Sequence, residues 1–269
     1  MSTQSETRDI PGFSMDRQIR PECAPFSMQA GNEQAMLLIH GLTGTPQDFR
    51  NYARHYFEAG YDVFAPLWPG HGSHISIMER LGYREFYIPF PPLMNWLRSH
   101  YRHVHITALS YGSIIGADLA LDQPPATLSF LAPAFYLTVQ TEKKISLMKG
   151  LRMPLTGRVR KKKKNARGQP IKRVTFTYDA IPAASVLAMH GRSKIVRSRL
   201  AQLEMPIFHA HGDRDETTPM HSNHRFLSET IGNYLFYHVP EGEHILPLDP
   251  GQKAMAANHL RWLKGQNID

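Results

Sequence analysis

The period of the apolar positions changes in a regular way along the chain. "QAMLLIHG" (34–41) is a nearly continuous apolar run closed by glycine, the pattern of a buried parallel strand. "TPQDFRNYARHYFEAG" (45–60) has the pattern of an amphipathic helix; Thr45 is placed to cap it, Pro46 suits its first turn and Gly60 its end. "YDVFAPL" (61–67) predicts a second strand and "LMNWLRSHYR" (93–102) a further helix. Val104 to Leu109 predict a strand. After Ser110 the positions Ile114, Ile115, Ala117, Leu119 and Ala120 give one buried helix face. Strands are expected at 126–133, 206–212 and 233–239, and helices at 183–203, 219–231 and 251–264. Strands alternating with helices form parallel βαβ units, so the predicted fold class is α/β, a mostly parallel, doubly wound sheet.

Two stretches break the alternation. Residues 1–22 are polar and proline-containing, and read as a loose extension. Residues 136–178 hold "GRVRKKKKNARGQPIKR" and no clean strand. They read as an insertion over the C-terminal edge of the sheet, where open α/β sheets bind ligands, and hence as a lid. The core is then 23–135 with 179–269. The apolar residues of and beside the insertion, such as Leu137, Ile145, Met148, Leu151, Met153 and Leu155, are expected to pack the cap and to line an acyl pocket.

Composition changes this picture only locally. The 269 residues carry a net charge of +8, but thirteen Lys and Arg fall between Lys143 and Arg173 with no Asp or Glu. The rest holds 18 basic against 23 acidic residues, so the body is mildly acidic. The basic run from Arg158 to Arg167 reads first as solvated surface and second as a contact with anionic lipid. It lacks the interleaved aromatics that nucleic acid binding would use, and none is expected. The single cysteine, Cys23, excludes an intrachain disulfide. With no signal-like start and no apolar run near the ~18 residues of a membrane span, a cytoplasmic protein is expected, peripheral at a membrane if the basic cap docks. Oligomeric state is not legible.

Ser110 sits where a strand turns into a helix, as a helix cap or as a nucleophile on a sharp turn. A nucleophilic serine needs a base, and the base needs an orienting carboxylate. "HAHGDRDETTP" places acids after a predicted strand and "VPEGEHILPLD" places His244 after the next, so all three lie at one edge of the sheet. Asp215, deeper in its loop, is favoured over Asp213, which suits the turn itself. The oxyanion donors expected are the backbone N–H of Tyr111 and that of Leu42 in "HGLTG", where Gly41 and Gly44 allow close approach. His71 reads as a tie for its loop. His103/His105 and His209/His211 have spacing that can hold a metal, but nothing completes a ligand set; neither metal nor cofactor is expected.

"LLIHGLTGTPQDFRNYARHYFEAGYDVFAPLWPGHGS", "ALSYGS", "GDRDETTP" and "EGEHILPLD" resemble, in order, the opening, elbow, acid loop and histidine loop of bacterial monoacylglycerol lipases and carboxylesterases of the α/β-hydrolase superfamily. The resemblance implies an α/β-hydrolase fold with a small helical cap. It implies Ser110 as nucleophile, Asp215 as orienting acid, His244 as base, and Leu42 and Tyr111 as oxyanion donors. The substrate implied is a carboxylic ester, an acyl ester or a monoacylglycerol-like lipid. Thioesterases, amidases, peptidases and acyltransferases use the same groups, and a non-catalytic binder docking through the basic cap is the reading from another class. Two positions depart from the pattern: Ala108 stands for the elbow's usual glycine, and Ser113 for a second one, where it would shift the helix–strand contact.

Overall fold

The continuous apolar runs pair side by side at the centre of one sheet. In a computed structural model the described residues are 5–7, 9–13, 18–150, 157–161 and 174–266. The strands are β1 (Ser5–Thr7), β2 (Phe26–Gln29), β3 (Gln34–Ile39), β4 (Tyr61–Ala65), β5 (His103–Leu109), β6 (Thr127–Leu131), β7 (Arg158–Arg160), β8 (Ala180–Pro182), β9 (Ile207–Gly212) and β10 (Tyr234–Val239). The helices are α1 (Arg50–Glu58), α2 (Ile75–Met78), α3 (Tyr83–Tyr87), α4 (Phe90–His100), α5 (Gly112–Asp122), α6 (Val139–Gly150), α7 (Ala183–Arg197), α8 (Met220–Thr230) and α9 (Gln252–Lys264). The main sheet runs β1-β2-β4-β3-β5-β6-β9-β10. β1 and β2 are antiparallel to their neighbours, and every pairing from β4 to β10 is parallel. This is the α/β-hydrolase fold expected of the sequence.

Alternation along each buried strand feeds two cores. In β3, Ala35, Leu37 and Ile39 join α4, α5 and α7 on one face, while Met36 and Leu38 join α1 and α9 on the other. Because the strands are parallel, the loops after β3, β5, β9 and β10 all emerge at one edge.

Several boundaries differ from expectation. The helix expected at 45–60 is a 3-10 turn, Pro46–Phe49, followed by α1. Thr45 does not cap it with its hydroxyl, which is buried without a hydrogen-bond partner among the described residues. Its N–H instead donates to the Asp48 carboxylate at 3.2 Å. α4 starts at Phe90, so Pro91 and Pro92 fall in its first turn, where a missing N–H costs nothing. The extension expected to be loose has Ile10 and Phe13 buried in the core, Phe13 edge-on to Phe90 at 5.3 Å, and adds β1 to the sheet.

The insertion contains α6 and β7, where no clean strand was expected, and β7 pairs antiparallel with β8, which begins just past position 178. Ile145 and Leu137 pack with Ala134 and Val186, and Leu42 and Tyr111 lie against this cluster. The expectations for Leu151, Met153, Leu155 and residues 162–173, with most of the basic run, fall outside the described residues. Of its described members, Arg158 is paired with Glu79 and Lys161 donates to Thr177 Oγ1. Among the described residues no helix is long and apolar enough to cross a membrane.

Candidate active site

Ser110 joins β5 to α5 with φ at +56°, in the left-handed region that a residue with a side chain adopts only under constraint. Its N–H donates to Leu131 O at 2.9 Å, and its carbonyl accepts from Ser113 N at 3.0 Å and Ala134 N at 3.2 Å. Gly112 is required by space: a Cβ there would come within 2.5 Å of the carbonyl oxygens of both Ile39 and His40. The two departures from the elbow pattern are absorbed locally. Ala108 faces Gly116, where a Cβ would sit 3.0 Å from the alanine methyl. Ser113 Oγ donates to Ala108 O at 3.0 Å, fastening the turn it stands in.

The serine hydroxyl lies 2.8 Å from His244 Nε2, and His244 Nδ1 lies 2.7 Å from Asp215 Oδ2. Two glycines let the acid and histidine loops touch. A Cβ on Gly212 would fall 2.1 Å from Gly242 O, and Arg214 N donates to that same oxygen at 3.0 Å. The Asp215 side chain is fully buried. Its Oδ1 accepts from Thr217 N at 2.7 Å and Thr218 N at 2.9 Å, and its Oδ2 from Thr218 Oγ1 at 2.7 Å. Burial opposes its ionisation, but the charge of His244 and hydrogen bonds from His211 and His244 outweigh burial and hold the carboxyl well below the usual range. Asp213 faces the exposed His238 at 3.3 Å instead.

The "HGLTG" loop crosses beside the serine. A Cβ on Gly41 would lie 3.2 Å from Ser110 Cβ. Gly44 N donates to Gly41 O at 3.0 Å, closing a tight turn in which Thr43 has φ of +66°. His71 ties this turn down: its Nε2 accepts from Thr43 N at 3.0 Å, while its Nδ1 donates to Pro69 O at 3.2 Å. His40, just after β3, makes the reverse tie to the loop that carries His71, accepting from Trp68 N at 3.2 Å and donating to Gly41 O at 2.8 Å. Burial drives both imidazoles to the neutral form, lowering His40 to about 3. The end of the insertion adds two ties. Thr177 Oγ1 donates to Thr43 O at 2.9 Å, and Tyr178 OH donates to Gly70 O at 3.1 Å.

Sequence reasoning missed the two loop glycines, Gly116, and the ties from Thr177 and Tyr178, none of which carries a motif. It also left the histidine pairs unassigned. His105 bonds Thr127 Oγ1 at 2.8 Å and Gln34 Oε1 at 3.0 Å, and His209 and His211 bond each other at 3.0 Å. Among the described residues no group of three or more His, Cys, Asp or Glu is arranged to hold a metal.

A serine, a histidine and a buried carboxylate at the C-terminal edge of such a sheet define the α/β-hydrolase class. Residues 30–250 match the Hydrolase_4 family, described as serine aminopeptidase, S33, and the chain belongs to that family. It is 35% identical over 100 residues to a thermostable monoacylglycerol lipase of Bacillus sp. (strain H-257), and 30% identical over 101 residues to a carboxylesterase of Bacillus subtilis (strain 168). Each match covers 37% of this chain, and 40% and 41% of those proteins, so the chain aligns with about two fifths of the curated relatives' length. In structure it is similar to a chain from work on LipS and LipT, two metagenome-derived lipolytic enzymes, with TM-score 0.80 at 19% identity over 93% of this chain and 100% of that one. It is also similar to a Paleococcus ferrophilus monoacylglycerol lipase, with TM-score 0.69 at 16% identity over 85% and 93%.

Proposed function

We propose that the protein is a serine hydrolase of carboxylic esters that works through an acyl-enzyme on Ser110. The reading is carried by one observation, the unbroken chain from Ser110 Oγ through His244 to Asp215 at 2.8 and 2.7 Å. His244 takes the serine proton as the oxygen attacks the ester carbonyl. Asp215 holds the imidazole in the tautomer with Nδ1–H and stabilises the imidazolium. The N–H groups of Leu42 and Tyr111 receive the oxyanion. The alcohol leaves with the proton from His244, and water activated by the same imidazole releases the acid.

Acyl esters or monoacylglycerol-like lipids are the proposed substrates. The relatives' names support this, as does the apolar cluster of Leu137, Ile145 and Val186 against Leu42 and Tyr111. A fluorophosphonate probe is expected to label Ser110, and Ser110→Ala to lower ester turnover by about four to six orders of magnitude while the protein stays folded. Turnover that survives in that variant rejects the assignment. A panel of esters, thioesters and aminoacyl amides with graded acyl chains separates the chemistries that share these groups.

A further inference from the structure

Behind Asp215 a line of polar side chains follows β9 away from the serine toward the start of β10 and α8. His211 Nε2 lies 3.2 Å from Asp215 Oδ2, His211 Nδ1 lies 3.0 Å from His209 Nε2, and His209 Nδ1 lies 2.6 Å from Tyr234 OH. Tyr234 OH in turn meets His224 Nδ1, on α8, at 2.9 Å. His209 and His211 are both completely buried, while Tyr234 and His224 are half-buried. The serine, histidine and carboxylate need none of these residues to complete their own bonds.

The direction of the hydrogen bonds follows from chemistry. His211 Nε2 faces only oxygens: the Asp215 carboxylate, Thr218 O at 3.1 Å and the Thr218 hydroxyl. The hydroxyl has given its own proton to Asp215 Oδ2. Nε2 therefore carries a hydrogen, which it gives to the Thr218 carbonyl, with Asp215 Oδ2 beside it at 3.2 Å. In a neutral imidazole Nδ1 then accepts, so His209 must donate from Nε2, accept at Nδ1 from the Tyr234 hydroxyl, and leave that oxygen to accept from His224. Burial drives His209 to the neutral form, and the 3.0 Å approach of the two ring nitrogens has room for one hydrogen between them.

We infer that His211, His209 and Tyr234 form a one-way chain of hydrogen-bond donors, running inward from α8, which fixes the Asp215 carboxylate toward His244 and sets how much negative charge it presents to that imidazole. The inference rests on the proposed serine hydrolase reading, and it makes His211 a positioning residue. The titratable groups that face the chain are Asp215 and His244 at its inner end and Tyr234 and His224 at its outer end, with His221 beside His224. The Asp213–His238 pair is exposed and outside it.

Taking away a donor concentrates charge on the carboxylate and strengthens its hold on the imidazolium. His211→Phe is therefore expected to move the acid limb of kcat/KM for a soluble ester upward by about one pH unit, the size of one hydrogen bond to a charged group. It should lower kcat about tenfold and leave KM within about twofold. His211→Gln, which keeps an N–H near the carboxylate, should restore most of both. Tyr234→Phe should shift the limb the same way by less. Nitrogen-15 NMR of the histidine rings in the unmodified protein should show both His209 and His211 as Nε2–H tautomers.

An acid limb unmoved in His211→Phe, a shift that His211→Gln fails to reverse, or an Nδ1–H tautomer at either ring overturns the chain. Failure of the wild-type protein to label with fluorophosphonate sinks the hydrolase reading instead. The NMR result stands apart from that outcome, because it reads the hydrogen-bond direction without turnover.

Discussion

Ser110 shows how much of the site is decided by neighbours with no reactive group. Its left-handed backbone persists because the surroundings leave no alternative: Leu131 and Ala134 bond its backbone on one side, and Gly112 lets α5 press against the end of β3 on the other. The alanine at position 108 fits because Gly116 stands opposite. Gly116→Ala is expected to cost about 1–3 kcal/mol by overpacking, and the cost should largely vanish when Ala108→Gly is added. Denaturant unfolding of the four proteins of this double-mutant cycle measures the coupling. Additive losses would show that the two positions do not compensate one another.

Among elements, the long periodic ones were legible and the short ones were not. β3, β5, β9 and α9 fall within two residues of where the apolar period places them, because burial on one or two faces writes itself into every turn or alternate position. α2 and α3, of four and five residues, are too short to complete a period, and β2 holds only "FSMQ". The residue type of Thr45 suits a cap, yet the Asp48 N–H that its hydroxyl would have accepted from donates to the Thr45 carbonyl at 3.1 Å instead. The order of Ser110, Asp215 and His244 was legible because each follows a recognisable strand. The ties that hold their loops were not, since they join residues far apart in the chain.

The tie from His71 is the one with a sequence signal, and its consequence belongs to the loop as a unit. Thr43 N–H is buried and has the His71 imidazole as its acceptor. His71→Phe keeps a ring beside Trp68 and Phe86 but leaves that N–H unpaired, at a cost of about 1–3 kcal/mol. Because the same turn carries the Leu42 N–H, kcat for an ester should fall more than KM rises, and His71→Gln should recover part of kcat through its amide oxygen. Full kcat in His71→Phe, with stability lowered, would limit His71 to a structural role.

At the scale of the whole molecule, the buried histidines couple the fold to pH. Burial is the leading cause in each case. It lowers His40 and His259 to about 3 and His105 to about 4, and takes His71 and His209 well below their ordinary value of 6.5. These five stay neutral in the folded protein while the unfolded chain takes up protons below pH 6.5, so stability is lost as pH falls from 6.5 toward 4. Asp48 opposes them. Burial raises it to about 6 from 3.8, so the folded state holds a proton that the unfolded chain has released. Its contribution is full below 3.8 and disappears as pH rises through 6, and one group offsets only part of five. Each histidine contributes a slope of about 1.4 kcal/mol per pH unit once fully inside the window. Urea unfolding at pH 7, 6 and 5 should therefore show stability declining ever more steeply with acid. His105→Gln, whose amide can still meet Thr127 and Gln34, should flatten that decline by about one proton's worth of slope. A stability constant from pH 7 to 5 would mean that these imidazoles charge inside the fold, and that the hydrogen bonds fixing the loops beside Ser110 and Asp215 are not the neutral ones described.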